Sequence, residues 1–339
     1  MTSAERATDQ QAFADVAERY RRQLHLHCYR MLGSFDDAED LVQETLVRAW
    51  RSRNAFEGRS SLETWLYRIA TNACLNALRR SPKARILPAD VVQPVTITTD
   101  ASEARHEPPY HPELPWLQPY PDDLLDHDPE SKTIQRETIE LAYLVALQHL
   151  PPRQRAILIL RDVLGWSANE TADILEITPQ AANSALQRAR ATLRAELSDS
   201  RDAWSAQTDR TQTEDEVLQA FMHAWDRADT AAITAMLKED ARWSMPPAAL
   251  WFLGRASIER LFQLFPLEQS GEFRTIAVRA NRQPAAAGYL RRPGEAEFRL
   301  NAVSVLTIAP DNTISAITQF GAELCRGFRL PTTLPAEHR

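Results

Sequence analysis

Residues 86–130 place the first constraint on the fold. They hold nine of the chain's 21 prolines, ten acidic residues and one basic residue. Proline removes a backbone donor and breaks helices, and a dense acidic run resists collapse. The stretch therefore reads as a linker that divides the 339-residue chain into separately folding parts. Inside it, residues 115–123 read PWLQPYPDD, a proline-stiffened peptide with two large aromatic rings. Such a peptide loses little entropy on docking, and Trp116, Leu117 and Tyr120 are its natural anchors.

The flanking composition narrows the class. No apolar run approaches the roughly 18 residues of a membrane helix, so no membrane segment is expected. The first residues, MTSAERATDQQ, lack the basic-then-apolar order of a secretory signal. Cys28, Cys74 and Cys325 form no CxxC pair, which suits a reducing, cytoplasmic setting. His25, His27 and Cys28 in HLHC lack the spacing of a metal site, and no metal or cofactor is expected. The net charge of −7 hides a local excess: residues 15–85 carry 13 basic and nine acidic residues.

Residues 12–85 read as one helical domain. In SFDDAEDLVQETLVRAWR, Ser34 caps a helix with Asp36 and Asp37 in its first turn. Ala38, Leu41, Val42, Thr45, Leu46 and Ala49 give it an apolar face. After Gly58, Ser60 and Glu63 fit a capping box, and Leu62, Leu66, Ile69, Ala73 and Ala77 form the next buried face. Trp65 and Tyr67 lie among Arg59, Arg68, Arg79 and Arg80, a mixture that suits stacking on single-stranded bases.

Residues 131–197 read as a second helical domain. A helix through Glu137–His149 ends at two prolines, and RQRAILILRDVLGW forms the next. Ser167 and Glu170 box another helix. A short turn follows, with Thr178 as N-cap and Pro179 at the first helical position. Two helices joined by so short a turn describe a helix-turn-helix. The last helix buries Ala182, Leu186, Ala189 and Leu193. It presents Gln180, Asn183, Ser184, Gln187, Arg188, Arg190 and Arg194, residue types that read base edges or hold phosphates.

These words, in this order, resemble an RNA polymerase sigma factor of the extracytoplasmic-function (ECF) group. The words are DAEDLVQETLVRAWR, FEGRSSLETWLYRIATNACLNAL, LPPRQRAILILRDVLGWSANETADIL and SALQRARATLRAEL. The resemblance implies that Asp37, Asp40, Leu41, Gln43, Glu44, Val47 and Trp50 meet the clamp helices of core RNA polymerase's largest subunit. It implies that Asn54, Phe56, Arg59, Ser60, Trp65, Arg68, Asn72, Arg79 and Arg80 recognise and melt the minus-10 element of promoter DNA. Thr178, Gln180, Asn183, Ser184, Gln187, Arg188, Arg190 and Arg194 would then read the minus-35 element. ECF proteins are usually restrained by a separate anti-sigma protein. The long tail here leaves open whether such a partner exists.

The tail, residues 211–330, reads as helices followed by a run of antiparallel strands, an α+β domain. Strand-like segments lie near 273–281, 286–292, 297–308 and 313–321, and helices near 214–227, 230–238 and 255–265. DRADTAAITAMLKEDARWSMPP and GRASIERLF resemble SnoaL-like domains, a cone-shaped α+β fold. That fold implies a pocket for a small apolar ligand, lined by Trp225, Trp243, Met245, Trp251, Phe252 and Tyr289. His223, Asp226, Asp240 and Arg255 are acid–base candidates, but no pair has catalytic spacing, and an enzyme is not expected. The expected fold is thus two all-α domains followed by an α+β domain, with the linker peptide docked on the tail to tune the sigma activity. The rival readings are a ligand-responsive helix-turn-helix regulator and a pocket enzyme fused to a DNA-binding module.

Overall fold

A computed structural model describes residues 3–56, 58, 60–81, 84–95, 110–125, 138–198 and 211–336. The chain separates into two compact units. One joins Met1–Arg85 to Asp126–Ser198; the other joins Ile86–Leu125 to Asp199–Arg339. The two helical blocks therefore share one unit, and residues 86–125 belong with the tail.

In the helical unit, α1 (Ser3–Leu32), α2 (Phe35–Ser52) and α3 (Leu62–Arg80) pack together. Gly33, with a left-handed φ of 69°, follows the end of α1, and Ser34 starts α2, its hydroxyl accepting from the Asp37 backbone N–H at 3.2 Å. The α2 stripe Ala38, Val42, Thr45, Leu46 and Ala49 is buried. At α3 the structure corrects two expectations. Ser61, not Ser60, is the N-cap, accepting from Thr64 N–H at 3.0 Å, because Ser61 holds the extended φ/ψ a cap needs. The buried face is also rotated: Leu66, Tyr67, Ala70, Thr71, Ala73, Cys74 and Leu78 are inside. Tyr67 is thus core, edge-on to His27 at 5.1 Å, and not a stacking platform.

The second block holds α4 (Leu141–Gln148), α5 (Pro152–Leu158), α6 (Ala168–Leu175) and α7 (Pro179–Ser198). Here α4 is shorter than expected, and Glu137 lies outside the described residues. After Leu158 the helix widens into a π-turn over Ile159–Val163 and ends before Gly165, whose φ of +72° suits a residue without Cβ.

The second unit carries α8 (Thr211–Asp226), α9 (Thr230–Ala235), β1 (Leu237–Ser244), β2 (Trp251–Leu253), α10 (Arg255–Leu264), β3 (Glu272–Ala280), β4 (Gln283–Arg291), β5 (Glu297–Ile308), β6 (Ile314–Gly321) and β7 (Thr333–Pro335). The described strands form a sheet ordered β2-β1-β6-β5-β4-β3, with β7 added to β5. One expectation fails: β1 pairs with β6 in parallel, so the sheet is mixed. The chain leaves β1 through α10 and the β3–β5 meander, so β6 returns beside it in the same direction. Phe221, Trp225, Ile233, Trp243, Phe252, Ile258 and Phe262 from the helices and β1–β2 fill the core, with Leu306 and Ile317 from the meander.

Candidate nucleic-acid interface and linker seat

The helix-turn-helix is built by local chemistry. Ser167 and Glu170 exchange the two bonds of a capping box, at 3.2 and 2.8 Å, and fix the start of α6. Glu176 closes α6 in the left-handed conformation, φ 54°. Two residues later Thr178 caps α7, accepting from Ala181 N–H at 3.2 Å. Ala182, Ala185, Leu186 and Ala189 anchor α7 inward. Thr178, Gln180, Asn183, Ser184, Gln187, Arg188, Arg190 and Arg194 are all exposed. They do not stand alike. Arg190 is held bidentate by Asp162 of the π-turn, at 2.8 and 2.6 Å, so its fork is already engaged.

On α3 and the loop before it, Asn54, Ser60, Arg68, Arg79 and Arg80 are exposed, and Phe56, Trp65 and Asn72 are half-buried. Phe56 and Trp65 lie 5.1 Å apart with their rings tilted by 41°, forming one aromatic wall. Arg68 is paired with Glu176 at 3.2 Å, and Arg79 bonds Asn76 at 3.1 Å. Arg59 lies outside the described residues.

Along α2, Asp40, Gln43 and Val47 are exposed, while Asp37, Leu41, Glu44 and Trp50 are half-buried. Asp37 is paired with Arg85. Glu44 pairs with Arg48 at 2.5 Å. The Arg53 guanidinium lies 3.7 Å from the centre of the Trp50 ring, a cation–π contact. Val47 keeps 47% of its surface in water, an apolar residue in an acidic face.

The linker folds back on itself and onto the tail domain. Ile86 and Trp116 form a parallel bridge, with Ile86 N–H donating to Pro115 O at 3.0 Å and Leu117 N–H to Ile86 O at 2.9 Å. Trp116, Leu117 and Tyr120 are at most 1% exposed. Burying such side chains contributes about 2–3 kcal/mol each. Near β2, the Trp251 indole Nε1–H donates to Val92 O at 2.8 Å, and the Trp251 carbonyl accepts from Val95 N–H at 2.9 Å. His111 N–H donates to Pro247 O at 3.1 Å, and the Tyr110 hydroxyl meets Glu323 at 2.6 Å.

The last contact sits on the β3–β4 hairpin. Its Ala280–Gln283 register leaves a two-residue turn, Asn281 and Arg282, with φ of 57° and 59°. Both values match the primed turns that suit strand twist. The turn's N–H groups take the linker: Asn281 N–H donates to Tyr120 O and Arg282 N–H to Asp122 Oδ1, each at 2.8 Å. Asp122, 2% exposed, also faces Arg279 at 3.6 Å, and Arg279 reaches Glu214 and Asp215. Sequence reading missed Asn281, Arg279 and Asp122. The available signal was an Asn-led pair between two strand-like runs.

Of the six residues expected to line a pocket, four meet in the core of the domain. Trp225, Trp243 and Phe252 lie in the core, with the first two rings 5.7 Å apart, and Met245 packs against that cluster. Tyr289 is buried and donates its hydroxyl to Pro331 O at 3.0 Å. Trp251 serves the linker. Among the acid–base candidates, Asp226 accepts from Thr275 Oγ1 at 2.9 Å, and burial raises its carboxyl above the usual range. His223 and Asp240 are exposed.

A helix-turn-helix beside a basic, aromatic helix, followed in the chain by a mixed α+β domain, defines a nucleic-acid-binding regulator of transcription. Family models locate its parts: Sigma-70 region 2 matches residues 16–83, Sigma-70 region 4 residues 140–193, and a SnoaL-like domain residues 218–317. The chain is 40% identical over 324 residues to the ECF RNA polymerase sigma factor SigG of Mycobacterium tuberculosis, covering 95% of this chain and 85% of the relative. It is 29% identical to SigW of Bacillus subtilis over 191 residues, 56% of this chain and 91% of SigW. The crystal structure of the M. tuberculosis ECF sigma factor SigJ shares the fold, with a TM-score of 0.55 and 19% identity over 93% of this chain and 98% of that one. This chain belongs to the ECF RNA polymerase sigma factors, and it is an initiation factor, not an enzyme.

Proposed function

We propose that the chain works in the cytoplasm. There the acidic face of α2, with Val47 exposed at its centre, binds the clamp helices of core RNA polymerase. The Phe56–Trp65 wall and the arginines of α3 take the minus-10 element, where rings stack on unpaired bases and cations hold phosphates. The polar face of α7 reads the minus-35 element in the major groove. The SnoaL-like domain seats the linker and so tunes initiation. The aromatic stack fills the domain's core, so this reading assigns it no small-molecule ligand.

The observation that carries the tuning is the seat itself. Tyr120, Pro121 and Asp122 extend the β3–β4 turn, and Trp116 is fully sheltered. A linker that served only as a spacer would gain nothing from two buried aromatic rings.

In vitro transcription with core polymerase on a genomic promoter library tests both parts. Defined start sites are expected from the full chain. Replacing Trp116 and Tyr120 by Ala should change the output of the full chain and not that of residues 1–197. Equal effects in both would remove the tail from the mechanism, and no initiation at all would remove the sigma role.

A further inference from the structure

The recognition helix carries a carboxylate at its side. Of the arginines on the polar face of α7, Arg188 and Arg194 are exposed and, among the described residues, make no ion pair. Arg190 differs. Its Nε donates to Asp162 Oδ2 at 2.8 Å and its Nη2 to Asp162 Oδ1 at 2.6 Å, so both carboxylate oxygens meet one edge of the guanidinium. The pair lies at the surface, with 46% of the Arg190 side chain and 27% of the Asp162 side chain in water. On α7, Arg190 sits between Gln187 and Arg194 at helical spacing, on the flank of the face that presents base-reading side chains. A phosphate laid along that flank would meet an arginine that Asp162 already occupies.

The π-turn holds the carboxylate there. Leu164 N–H donates to Ile159 O at 3.0 Å, a span of five residues rather than four, and Trp166 N–H donates to Leu160 O at 3.0 Å. One extra residue in a turn shifts the side chains after it by about 100° around the axis. Arg161 braces the same turn by donating to the Trp166 carbonyl. A surface ion pair of this kind contributes little to stability. Its geometry matters more, because two oxygens set against an arginine fork are also what a phosphate offers. A cation engaged in this way neutralises no phosphate and releases no counterion from DNA.

We propose that Asp162 stands in for a phosphate beside the recognition helix, holding Arg190 from the DNA backbone and weakening binding to every sequence alike. The inference rests on the minus-35 reading above and adds a positioning residue to it. Phosphate contacts carry no sequence information. Withdrawing one leaves the base-edge readers Gln180, Asn183, Ser184 and Gln187 a larger share of the binding. A genome offers a vast excess of non-specific sites, so weak non-specific binding sets how much of the factor stays free. The chain's net charge of −7 acts in the same direction.

The test is a salt titration of the full chain on a fluorescein-labelled duplex of mixed sequence, read by anisotropy from about 50 to about 200 mM salt. Asp162→Asn keeps the size of the side chain and removes its charge. It should steepen the slope of log affinity against log salt by about 1, the value of one more phosphate contact, and tighten binding several-fold at the low-salt end. Adding Arg190→Ala to Asp162→Asn should return the slope to that of the unaltered chain. An unchanged slope in Asp162→Asn overturns the proposal. So does a double variant as steep as Asp162→Asn, because the gain then comes from lost repulsion and not from Arg190. Asp162→Ser repeats the measurement at the same exposed position if the Asn variant melts early. Arg188→Ala and Arg194→Ala separate the two readings. If both leave the slope untouched, α7 does not hold DNA, which overturns the minus-35 reading and the role of Asp162 with it.

Discussion

Tyr120 and Asn281 exchange two hydrogen bonds, each 2.8 Å, although 161 residues separate them. The Asn281 side chain accepts from Tyr120 N–H, and its own N–H donates to Tyr120 O. Asn281 also supplies the left-handed φ the turn needs, which Asn tolerates better than most residues. Asn281→Ala loses both properties and should cost about 1–3 kcal/mol in the thermal unfolding of the full chain. Asn281→Gly keeps the turn and should cost less. An equal loss in both would show that the side-chain bond, not the turn, carries the seat.

Arg279 is shared by three carboxylates, of which Asp122 and Glu214 are nearly fully buried. Removing Arg279 takes a cationic partner from two buried carboxylates, and breaking a buried pair costs about 3–5 kcal/mol in the general case. Arg279→Ala should therefore destabilise the linker seat more than Asp122→Asn, which keeps an acceptor for Arg282 N–H. Limited proteolysis within residues 110–125 reads the difference, with faster cleavage in Arg279→Ala.

Arg188 and Arg190 neighbour each other on α7 but should respond differently. Arg188→Ala removes an exposed charge, so DNA affinity should fall and the salt slope should drop by about 1. Arg190 is committed to Asp162, so Arg190→Ala should mainly lower stability and leave the slope nearly unchanged. Equal slopes for the two variants in a salt titration would show that Arg190 leaves Asp162 on DNA.

His25 and His27 make stability pH-dependent. Burial pulls His25 down to about 4 and His27 down to about 3, so both rings are neutral at pH 7. An unfolded histidine takes up its proton near 6.5, so below that pH the unfolded chain binds more protons. Stability should be full above about pH 6.5. It should fall by a few kcal/mol on the way to about pH 4. His27 bonds Thr71 at 2.9 Å, so His27→Gln should flatten that fall in melts at pH 7.5, 6 and 5.

What the sequence made legible was what local chemistry decides. Ser34, Ser167 and Thr178 cap their helices where residue type and spacing point, and the α2 stripe is buried as its periodicity requires. The strand-like segment at 297–308 matches β5. Two adjacent serines before α3 could not be separated, because only backbone conformation chooses Ser61. The parallel β1–β6 pair depends on the path of about 70 intervening residues, a long-range feature without a local signature. Arg155 was invisible for the same reason: its acceptors on Met31, Gln148 and Leu150 come together only in the folded unit. The exposed polar face of α7 was read from residue types and spacing. The anchor peptide of the linker was legible from its aromatics and prolines, but its receiver, a turn with donors to spare, was not.

The bridge between Ile86 and Trp116 changes how long the leash is on which region 4 travels. Unclasped, the chain from Arg85 to Thr138 could pay out about 175 Å at about 3.3 Å per residue. With Ile86 clasped to Trp116, roughly thirty of those residues drop out of the rope, and about 75 Å remains. A short strand pair inside the linker thereby acts as a ruler. On the sigma reading proposed above, the clasp sets how far region 4 can reach from region 2.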